Sequence, residues 1–501
     1  MGKWQSFPYY SEKNEEGNQL RVFDGKLLIG GNWVSSISGL CEEVKSPYNG
    51  EVVGIAAVAN VEDIDMAISA AEEGFAIWRR TPAHQRAAIM MKAAALADER
   101  IEEIAQIISS ENGKSLLEAR GEAGRCGEII RLGAFEGSQL YGDSLPLDAN
   151  KGTGQEKIGF TLRQPVGVVV AISPFNYPAL LVMHKLSPAL SSGNSVVLKP
   201  AQSTPLTALA LAQCFVDAGL PAGVLNVVTG SGTQLGDALV RDSRVRKISF
   251  TGSTAVGTRI TQLAGVKKLS LELGASSPVI VMDDADLELA ARAVSIGGYI
   301  NAGQVCISVQ RVIVHEKIKR DFLDALKPLV EKINVGDPKA DGTEVGTLIN
   351  ERETNRVVAS IRNAVDQGAV LITGGEKNGN IITPAIVSEV DPSSNIAQEE
   401  LFGPAVVVST TDSLKQALHI ANSTPYGLGS GIFTREVNSA IQAAREIDSG
   451  VVHVNWTPLW RADLMPYGGF KASGIGKEGV RSAIEEMTEV KTVILHGQSW
   501  Q

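Results

Sequence analysis

Short, unbroken runs of aliphatic residues alternate with amphipathic helical stretches over most of the chain after residue 166. The first series comprises VGVVVAIS, NSVVLKP, VLNVVTG, VRKISFTG and KKLSLELG. Strands that are apolar on both faces and are separated by helices are typical of a parallel sheet covered on both sides. The pattern therefore predicts an α/β fold with a doubly wound sheet, in which ligands bind at the carboxyl ends of the strands.

A second series starts near residue 278 with PVIVMDDAD and continues through RVIVHE, AVLITGG, AVVVST and SGVVHVN. It predicts a second α/β lobe, in keeping with a chain of 501 residues, which exceeds one typical core. The segments GQEKIGFTLRQPVG and EVKTVILHG resemble exposed strands at the lobe edges, where they can pair with another element or subunit. Residues 1–20 are predicted to form a solvated tail.

Composition and charge exclude several classes of partner. The formal net charge of −10 argues against nucleic acid and anionic membranes. The apolar run VGVVVAI is too short to span a bilayer, and the N-terminal segment lacks the apolar region of a signal peptide. The four cysteines are too few and too scattered for a disulfide framework or a metal site. We therefore predict a cytoplasmic protein without a metal.

Three residues stand where parallel strands or a helix end and carry groups suited to covalent catalysis. Cys306, in NAGQVCIS, has a polar, turn-capable setting in which a thiolate can act as nucleophile. Asn176, in AISPFNYP, can donate to an oxyanion, and Glu272, in KKLSLELG, can act as general base. Each also has an ordinary alternative: a buried structural cysteine, a turn asparagine and an exposed strand-end acid.

Two further features are suited to binding a phosphate or a ribose. FTGSTAVG follows a predicted strand and opens a helix, so Gly252 and the free N–H groups of that helix can meet a phosphate. This segment is not the three-glycine dinucleotide motif and is weak evidence when taken alone. Lys199 ends the strand NSVVLKP and is either a ligand for the same molecule or a solvated lysine.

The order of these motifs resembles the aldehyde dehydrogenase superfamily, from about residue 28 to residue 493. The resemblance rests on Asn176, Lys199, Gly252, Glu272, Cys306 and the Glu400–Phe402 pair in EELFGP. It implies two doubly wound lobes with a small β oligomerisation arm. The implied domains are a cofactor-binding domain of residues 21–143 and 166–275, a catalytic domain of residues 276–477, and an arm of residues 144–165 and 478–501. A homodimer or homotetramer is expected.

The resemblance also implies a mechanism. Cys306 would attack the aldehyde carbon, Asn176 would hold the oxyanion, and hydride would pass to NAD or NADP to leave a thioester. Glu272 would then activate the water that hydrolyses it. The implied cofactor contacts are Ser173, Phe175, Lys199, Gln202, Gly252, Ser253, Glu400 and Phe402. Glu478, in GKEGV, matches a position associated with proton relay.

One departure from the family pattern bears on the cofactor. Members that prefer NAD commonly carry glutamate three residues after the lysine, where this chain has Gln202. A carboxylate would repel a 2′-phosphate, whereas an amide would not. We therefore predict that NADP is tolerated and do not choose between the two cofactors.

The substrate is predicted to be a short aldehyde with an anionic group. Arg125 aligns with a position that binds phosphate in some relatives, and Arg461 lies in the segment that lines the substrate mouth, with Tyr177 as a further contact. Candidates are phosphonoacetaldehyde, a sulfo-aldehyde, succinate semialdehyde and glyceraldehyde 3-phosphate. The alternatives are that both arginines form structural salt bridges and that the substrate is lactaldehyde or a general aliphatic aldehyde. Val305 stands where some anion-selective relatives carry arginine, which counts against a phosphate.

Three rival functions remain at this stage. Acyl transfer to coenzyme A is disfavoured because that branch of the family generally lacks the glutamate present here as Glu272. A cysteine hydrolase would need a histidine partner for Cys306, and none of the six histidines lies in a recognisable motif. A catalytically silent scaffold is disfavoured by the joint presence of Asn176, Glu272 and Cys306.

Overall fold

The computed structural model describes residues 10–13, 19–21 and 23–497. The N-terminal part of the chain contains β1 (Tyr10–Lys13), β2 (Gln19–Arg21), β3 (Leu27–Ile29), β4 (Asn32–Val34), β5 (Cys41–Lys45), β6 (Val52–Ala57), α1 (Val61–Trp78), α2 (Ala83–Glu99), α3 (Ile101–Asn112) and α4 (Leu116–Gly137). Strands β1 and β2 pair with each other, where a solvated tail was predicted. The rest of that predicted tail lies outside the described residues.

The next part of the chain alternates strands and helices. Its elements are β7 (Ser144–Leu145), β8 (Lys157–Pro165), β9 (Val168–Ile172), α5 (Leu180–Ser191), β10 (Ser195–Lys199), α6 (Leu206–Asp217), β11 (Leu225–Val227), α7 (Gly232–Arg241), β12 (Val245–Thr251), α8 (Thr254–Leu263) and β13 (Lys268–Glu272).

The C-terminal half contains the second lobe and two returning strands. Its elements are β14 (Ser277–Val281), α9 (Leu287–Gly297), β15 (Val309–His315), α10 (Lys319–Glu331), α11 (Glu351–Asp366), β16 (Val370–Thr373), β17 (Lys377–Asn378), β18 (Ile381–Ile382), β19 (Ala385–Ser388), α12 (Asn395–Gln398), β20 (Ala405–Thr411), α13 (Leu414–Asn422), β21 (Gly429–Phe433), α14 (Val437–Glu446), β22 (Val451–Val454), β23 (Gly474–Ile475), α15 (Val480–Glu486) and β24 (Thr488–His496). Short 3₁₀ turns cover Ile300–Gly303, Glu316–Ile318 and Lys471–Ser473.

The first lobe is built on a sheet with the strand order β23-β13-β12-β9-β10-β11-β3-β4. Strands β13, β12, β9, β10 and β11 are mutually parallel, which confirms the predicted doubly wound sheet. The chain proceeds from β9 outward to β11 and then returns to the other side of β9 as β12. The strand order therefore reverses between β9 and β12, and a crevice at the carboxyl ends of these two strands is where such sheets bind ligands.

The second lobe has the strand order β16-β19-β20-β15-β14-β21-β22, with every neighbouring pair parallel except β16 with β19. Helices cover both faces of each sheet, and separate buried clusters of aliphatic side chains fill the space between helices and strands. The predicted α/β class with two parallel-sheet lobes is thus confirmed.

A third sheet joins β24, β8 and β7. Strands β24 and β8 pair antiparallel along their whole length, from Thr488 opposite Pro165 to His496 opposite Lys157. Helix α15, which we assigned to the same arm, packs instead into the core of the first lobe through Val480 and Ile484. The last residues of the predicted arm, 498–501, lie outside the described part of the chain.

Within residues 10–13, 19–21 and 23–497, no helix is both long enough and apolar enough to cross a membrane.

Candidate active site

The thiol of Cys306 lies between the two lobes, just after an unusual turn. Asn301, Ala302 and Gly303 have consecutive positive φ angles of 50°, 53° and 70°. A methyl group at Gly303 would lie 2.1 Å from the carbonyl oxygen of Gly403, so only glycine fits there. Such a run of left-handed residues persists only where the surroundings hold it, and it is common at functional sites.

The immediate partner of Cys306 is a tyrosine that the sequence did not single out. Cys306 Sγ lies 3.2 Å from Tyr467 Oη. Burial raises the pKa of the Cys306 thiol to about 12, whereas the hydrogen bond to Tyr467 and the nearby charge of Arg461 lower it. This contact is to a phenol rather than to the histidine that a cysteine hydrolase needs.

The Asn176 side chain is buried and reaches the backbone before Cys306. Its Nδ2 donates to the carbonyl oxygen of Gln304 over 2.8 Å. The carbonyl oxygen of Asn176 in turn accepts from Lys114 Nζ and from Asn301 Nδ2, each at 2.9 Å. The amide is therefore held two residues from the thiol with a donor facing the same turn.

The Glu272 carboxylate ends β13 and is buried. Neither of its oxygens has a hydrogen-bond partner among the described residues. Burial, followed by repulsion from Glu478, raises the pKa of Glu272 well above its ordinary value. The carboxylate also repels negative charge on the Cys306 thiol, so the two groups lie within electrostatic range of each other. A buried acid without a donor is costly unless it is neutral or has a function.

Behind Glu272 lies a buried cluster of charged side chains that the sequence did not predict as a unit. Arg461 Nη1 pairs with Glu478 Oε2 at 2.9 Å, and its guanidinium carbon lies 4.0 Å from the centre of the Tyr467 ring. Lys185 Nζ lies 3.6 Å from Glu478 Oε1 and donates to Thr251 Oγ1. Attraction by Arg461 and then by Lys185 outweighs burial and lowers the pKa of Glu478 to about 2.

The two arginines expected to clamp an anion each have a carboxylate partner. Arg461 pairs with Glu478, as described above. Arg125 donates through Nη2 to Asp463, which also lies 3.3 Å from His184 Nε2. The two side chains differ in exposure, which is 39% for Arg125 and 9% for Arg461. Both pairs match the salt-bridge alternative, and Arg125 is the more exposed of the two arginines.

The predicted cofactor residues collect where the first sheet reverses its strand order. Ser173 follows β9, Gly252 follows β12, and Lys199 ends β10. Ser253 caps α8, and its Oγ accepts from the backbone N–H of Val256. The helix N-terminus thus offers N–H groups to a phosphate. The Ser173 hydroxyl is buried and has no partner among the described residues, which fits a site that completes its hydrogen bonds with a ligand.

Two further cofactor candidates, Glu400 and Phe402, lie on the side of the second lobe. Glu400 Oε1 accepts from the backbone N–H of Ala275 at 3.0 Å, and burial raises the pKa of Glu400 to about 7. The rings of Phe402 and Phe175 meet edge to face, with centroids 6.0 Å apart. A cavity lined by Cys306, Glu400 and Phe402 joins this side to the thiol. The residues present therefore fit a nicotinamide cofactor, which Glu400 and Phe402 would help to hold.

The fold thus brings together side chains that local sequence could not connect. Tyr177 and Cys306 both pack against one small apolar cluster that contains Val305 and Tyr467. Lys114 Nζ lies 3.7 Å from the centre of the Tyr177 ring. Tyr467 and its neighbours in MPYGG carry no local signal beyond a turn, so only their position identifies them. The described residues contain no group of three or more histidine, cysteine or acidic side chains arranged to hold a metal.

Comparison with known proteins places the chain in a well-populated group. The sequence model of the aldehyde dehydrogenase family matches residues 33–493. A 3-sulfolactaldehyde dehydrogenase of Priestia aryabhattai is 42% identical over 94% of this chain and 98% of that protein. An NADP-dependent succinate-semialdehyde dehydrogenase of Escherichia coli is 36% identical over 95% of this chain and 98% of its own length.

The solved structures show the same likeness. The NADP complex of an NADP-dependent glyceraldehyde-3-phosphate dehydrogenase from Bacillus halodurans superimposes with a TM-score of 0.93. It is 35% identical and covers 95% of this chain and 99% of that one. An NAD-dependent aldehyde dehydrogenase from Sinorhizobium meliloti is also 35% identical, with a TM-score of 0.91 over 95% of this chain and 96% of that one.

Proposed function

The chain belongs to the aldehyde dehydrogenase family and oxidises an aldehyde to a carboxylate with NAD or NADP; from this premise we propose that Cys306 is the nucleophile, Asn176 the oxyanion donor and Glu272 the general base. One observation carries the assignment. The carboxylate of Glu272 is buried, has no hydrogen-bond partner among the described residues and interacts electrostatically with the Cys306 thiol, which suits a base that activates a water molecule sheltered from bulk solvent.

The reaction follows from these positions. The Cys306 thiol loses its proton to solvent, the thiolate forms a C–S bond to the aldehyde carbon, and the oxygen becomes an oxyanion that Asn176 Nδ2 and the Cys306 backbone N–H stabilise. The bound cofactor supplies a hydride acceptor. As the carbon loses hydride, the C=O bond reforms and leaves a thioester on Cys306. Glu272 removes a proton from water, the resulting hydroxide attacks the thioester, and cleavage of the C–S bond frees the thiolate and the carboxylate.

Replacing Asn176 tests the oxyanion assignment. We expect Asn176→Ala to lower kcat/KM by about a hundredfold or more, because one donor to the developing charge is lost. The free energy of unfolding should fall by only about 1 kcal/mol. The loss is small because the Gln304 carbonyl, which accepts from Asn176, also accepts from Asn301 Nδ2 at 3.4 Å and so keeps a hydrogen-bond partner in the variant. Steady-state kinetics and thermal unfolding measure both; unchanged kcat/KM would remove Asn176 from the mechanism.

We further propose that the substrate is a short aldehyde with an anionic tail and that Arg125 binds the tail. Arg125 is the more exposed of the two arginines, and Asp463 keeps His184 as a second partner when Arg125 turns away. Relatives that act on sulfolactaldehyde, succinate semialdehyde and glyceraldehyde 3-phosphate support an anionic substrate. The candidates remain these three and phosphonoacetaldehyde. Because Arg125 is the one cation proposed to bind the tail, a singly charged sulfonate or carboxylate is favoured over a doubly charged phosphate or phosphonate.

A kinetic comparison tests the role of Arg125. We expect Arg125→Met to raise KM for an anionic aldehyde by roughly ten- to a hundredfold, since a charge-assisted hydrogen bond contributes about 1.5–3 kcal/mol. KM for a neutral aldehyde of equal length should stay the same. The matched control is Arg120→Met on the same helix, because Arg120 pairs with Glu102 at the surface.

The alternatives give different results in that comparison. If the wild-type enzyme oxidises lactaldehyde or propanal as well as any anionic aldehyde, and Arg125→Met affects all substrates alike, the protein is a general aliphatic or lactaldehyde dehydrogenase. In that case both arginines have only structural roles.

Assembly and location are also proposals. Strand β24 is an edge strand of the arm, and its exposed apolar residues Val490, Ile494 and Leu495 favour pairing with a second copy. We infer a homodimer or homotetramer, which light scattering would distinguish. The described cysteines are all free, which favours a reducing compartment, and we propose the cytoplasm.

A further inference from the structure

We propose that Glu42, a residue of the N-terminal β5–β6 ribbon, provides the carboxylate that recognises the adenosine ribose and makes the enzyme select NAD over NADP. Membership of the family leaves the cofactor open, and the local sequence around Lys199 contains no acid to exclude a 2′-phosphate. The tertiary structure brings an acid to that place from a residue 160 positions earlier in the chain.

Glu42 is linked to two predicted cofactor residues, to Gln202 by a hydrogen bond and to Lys199 by attraction of charge. Gln202 Nε2 donates to Glu42 Oε2 over 2.7 Å. Glu42 also attracts the charge of Lys199 and raises its pKa, although burial prevails and lowers the pKa of Lys199 to about 8. The three side chains therefore form one cluster at the carboxyl end of β10.

The cluster has unused hydrogen-bonding capacity. The second carboxylate oxygen, Glu42 Oε1, is shielded from solvent and has no hydrogen-bond partner among the described residues. Lys199 Nζ donates to the neighbouring carbonyl of Pro200, and an ammonium group has further protons to donate. A ribose with two free hydroxyls supplies both a donor for the carboxylate and an acceptor for the lysine. Dinucleotide sites that read the 2′-hydroxyl use an acid in this way.

Charge decides against the phosphorylated cofactor. The positive charge of Lys199 is offset by the negative charge of Glu42, so the cluster offers no net attraction to a 2′-phosphate. The phosphate would bring a further negative charge against the carboxylate, whose Oε1 is shielded from solvent although its bond to Gln202 is exposed. The amide of Gln202, which by itself would tolerate the phosphate, instead holds Glu42 in place.

Binding measured without turnover tests this. Isothermal titration calorimetry on the full-length enzyme, with NAD and NADP as the ligands and no aldehyde, gives the ratio Kd(NADP)/Kd(NAD). We expect the wild-type ratio to exceed about ten. Glu42→Gln should reduce the ratio by roughly ten- to a hundredfold, mainly by lowering the Kd for NADP. A wild-type enzyme that binds both cofactors equally would overturn the proposal, as would a ratio unchanged in Glu42→Gln.

Two further variants separate charge from structure. Glu43→Gln is the matched control, because Glu43 lies on the same strand, is exposed and pairs with Lys45 at 3.0 Å. It should leave the ratio unchanged. Gln202→Met removes the amide but keeps Glu42, so it should weaken both cofactors and preserve the preference for NAD. If Gln202→Met abolishes the preference while Glu42→Gln does not, residue 202 rather than Glu42 selects the cofactor.

Discussion

Glu272→Gln is expected to convert the enzyme from one that turns over into one that reacts once. The amide cannot take a proton from water, so hydrolysis of the thioester should slow by about 10²–10⁴-fold. Attack by Cys306 and hydride transfer do not need that base. Rapid mixing should therefore show a burst of reduced cofactor close to one equivalent per active site, followed by almost no steady-state rate. Mass spectrometry should find the acyl group on Cys306.

The outcome separates the remaining mechanisms. Cys306→Ser is the control and should abolish the burst. If Glu272→Gln turns over normally, another group activates water. If coenzyme A at millimolar concentration restores rapid turnover with an acyl-coenzyme A product, thiols can attack the thioester. That result would favour acyl transfer to coenzyme A over hydrolysis.

The pKa of Glu272 sets the sign of two pH effects. Because burial raises this pKa, Glu272 becomes deprotonated only at a higher pH than an ordinary glutamate. As the solution is acidified, kcat should therefore begin to fall at a higher pH than it would with an ordinary glutamate. The raised pKa also affects stability. The contribution of Glu272 to the free energy of unfolding is fully present below its unfolded-state pKa and is lost as the pH rises through its folded-state pKa. Glu272→Gln should therefore unfold at a higher temperature than the wild type at alkaline pH, which shows that its lost turnover is not unfolding.

Arg461→Met is expected to give the largest loss of stability. The variant removes the principal partner of buried Glu478 and leaves Lys185 at 3.6 Å, beside the second buried acid Glu272. Breaking a buried ion pair from one side costs about 3–5 kcal/mol. Chemical denaturation monitored by tryptophan fluorescence would measure the change in free energy of unfolding.

The pH dependence of this loss identifies its cause. Arg461 holds the pKa of Glu478 near 2, so the pair stabilises the folded state above the unfolded-state pKa and loses that contribution as pH falls toward 2. The gap between wild type and Arg461→Met should therefore be largest near neutral pH and shrink in acid. The double variant Arg461→Met, Glu478→Gln should recover much of the loss, because no unpaired charge remains. If Arg461→Met alone is as stable as the wild type but has a raised KM for anionic aldehydes only, Arg461 binds the anionic group of the substrate.

The sequence predicted the strands that carry their own pattern. Strands β9 to β13 were all expected, because each is a run of β-branched or aliphatic residues between helical segments. Strand β21 was not, since its sequence GSGIF holds two glycines. A methyl group at Gly431 would lie 2.4 Å from the carbonyl oxygen of Trp456, so close packing with another segment, not propensity, selects the residue there.

What the sequence determined by itself was the α/β class, the order of its motifs and the chemistry at the strand ends, because hydrophobic periodicity and residue type are local properties. Only the tertiary structure decided which of these groups meet. It paired Arg125 with Asp463 and Arg461 with Glu478, and it placed Tyr467 against Cys306 and Glu42 against Gln202. Most of these partners stand more than a hundred residues apart, and only folding brings their side chains into contact. Such contacts cannot be read from a local pattern, so the ion pairs of the two arginines, the burial of the acids and the proposed choice of cofactor depend on packing.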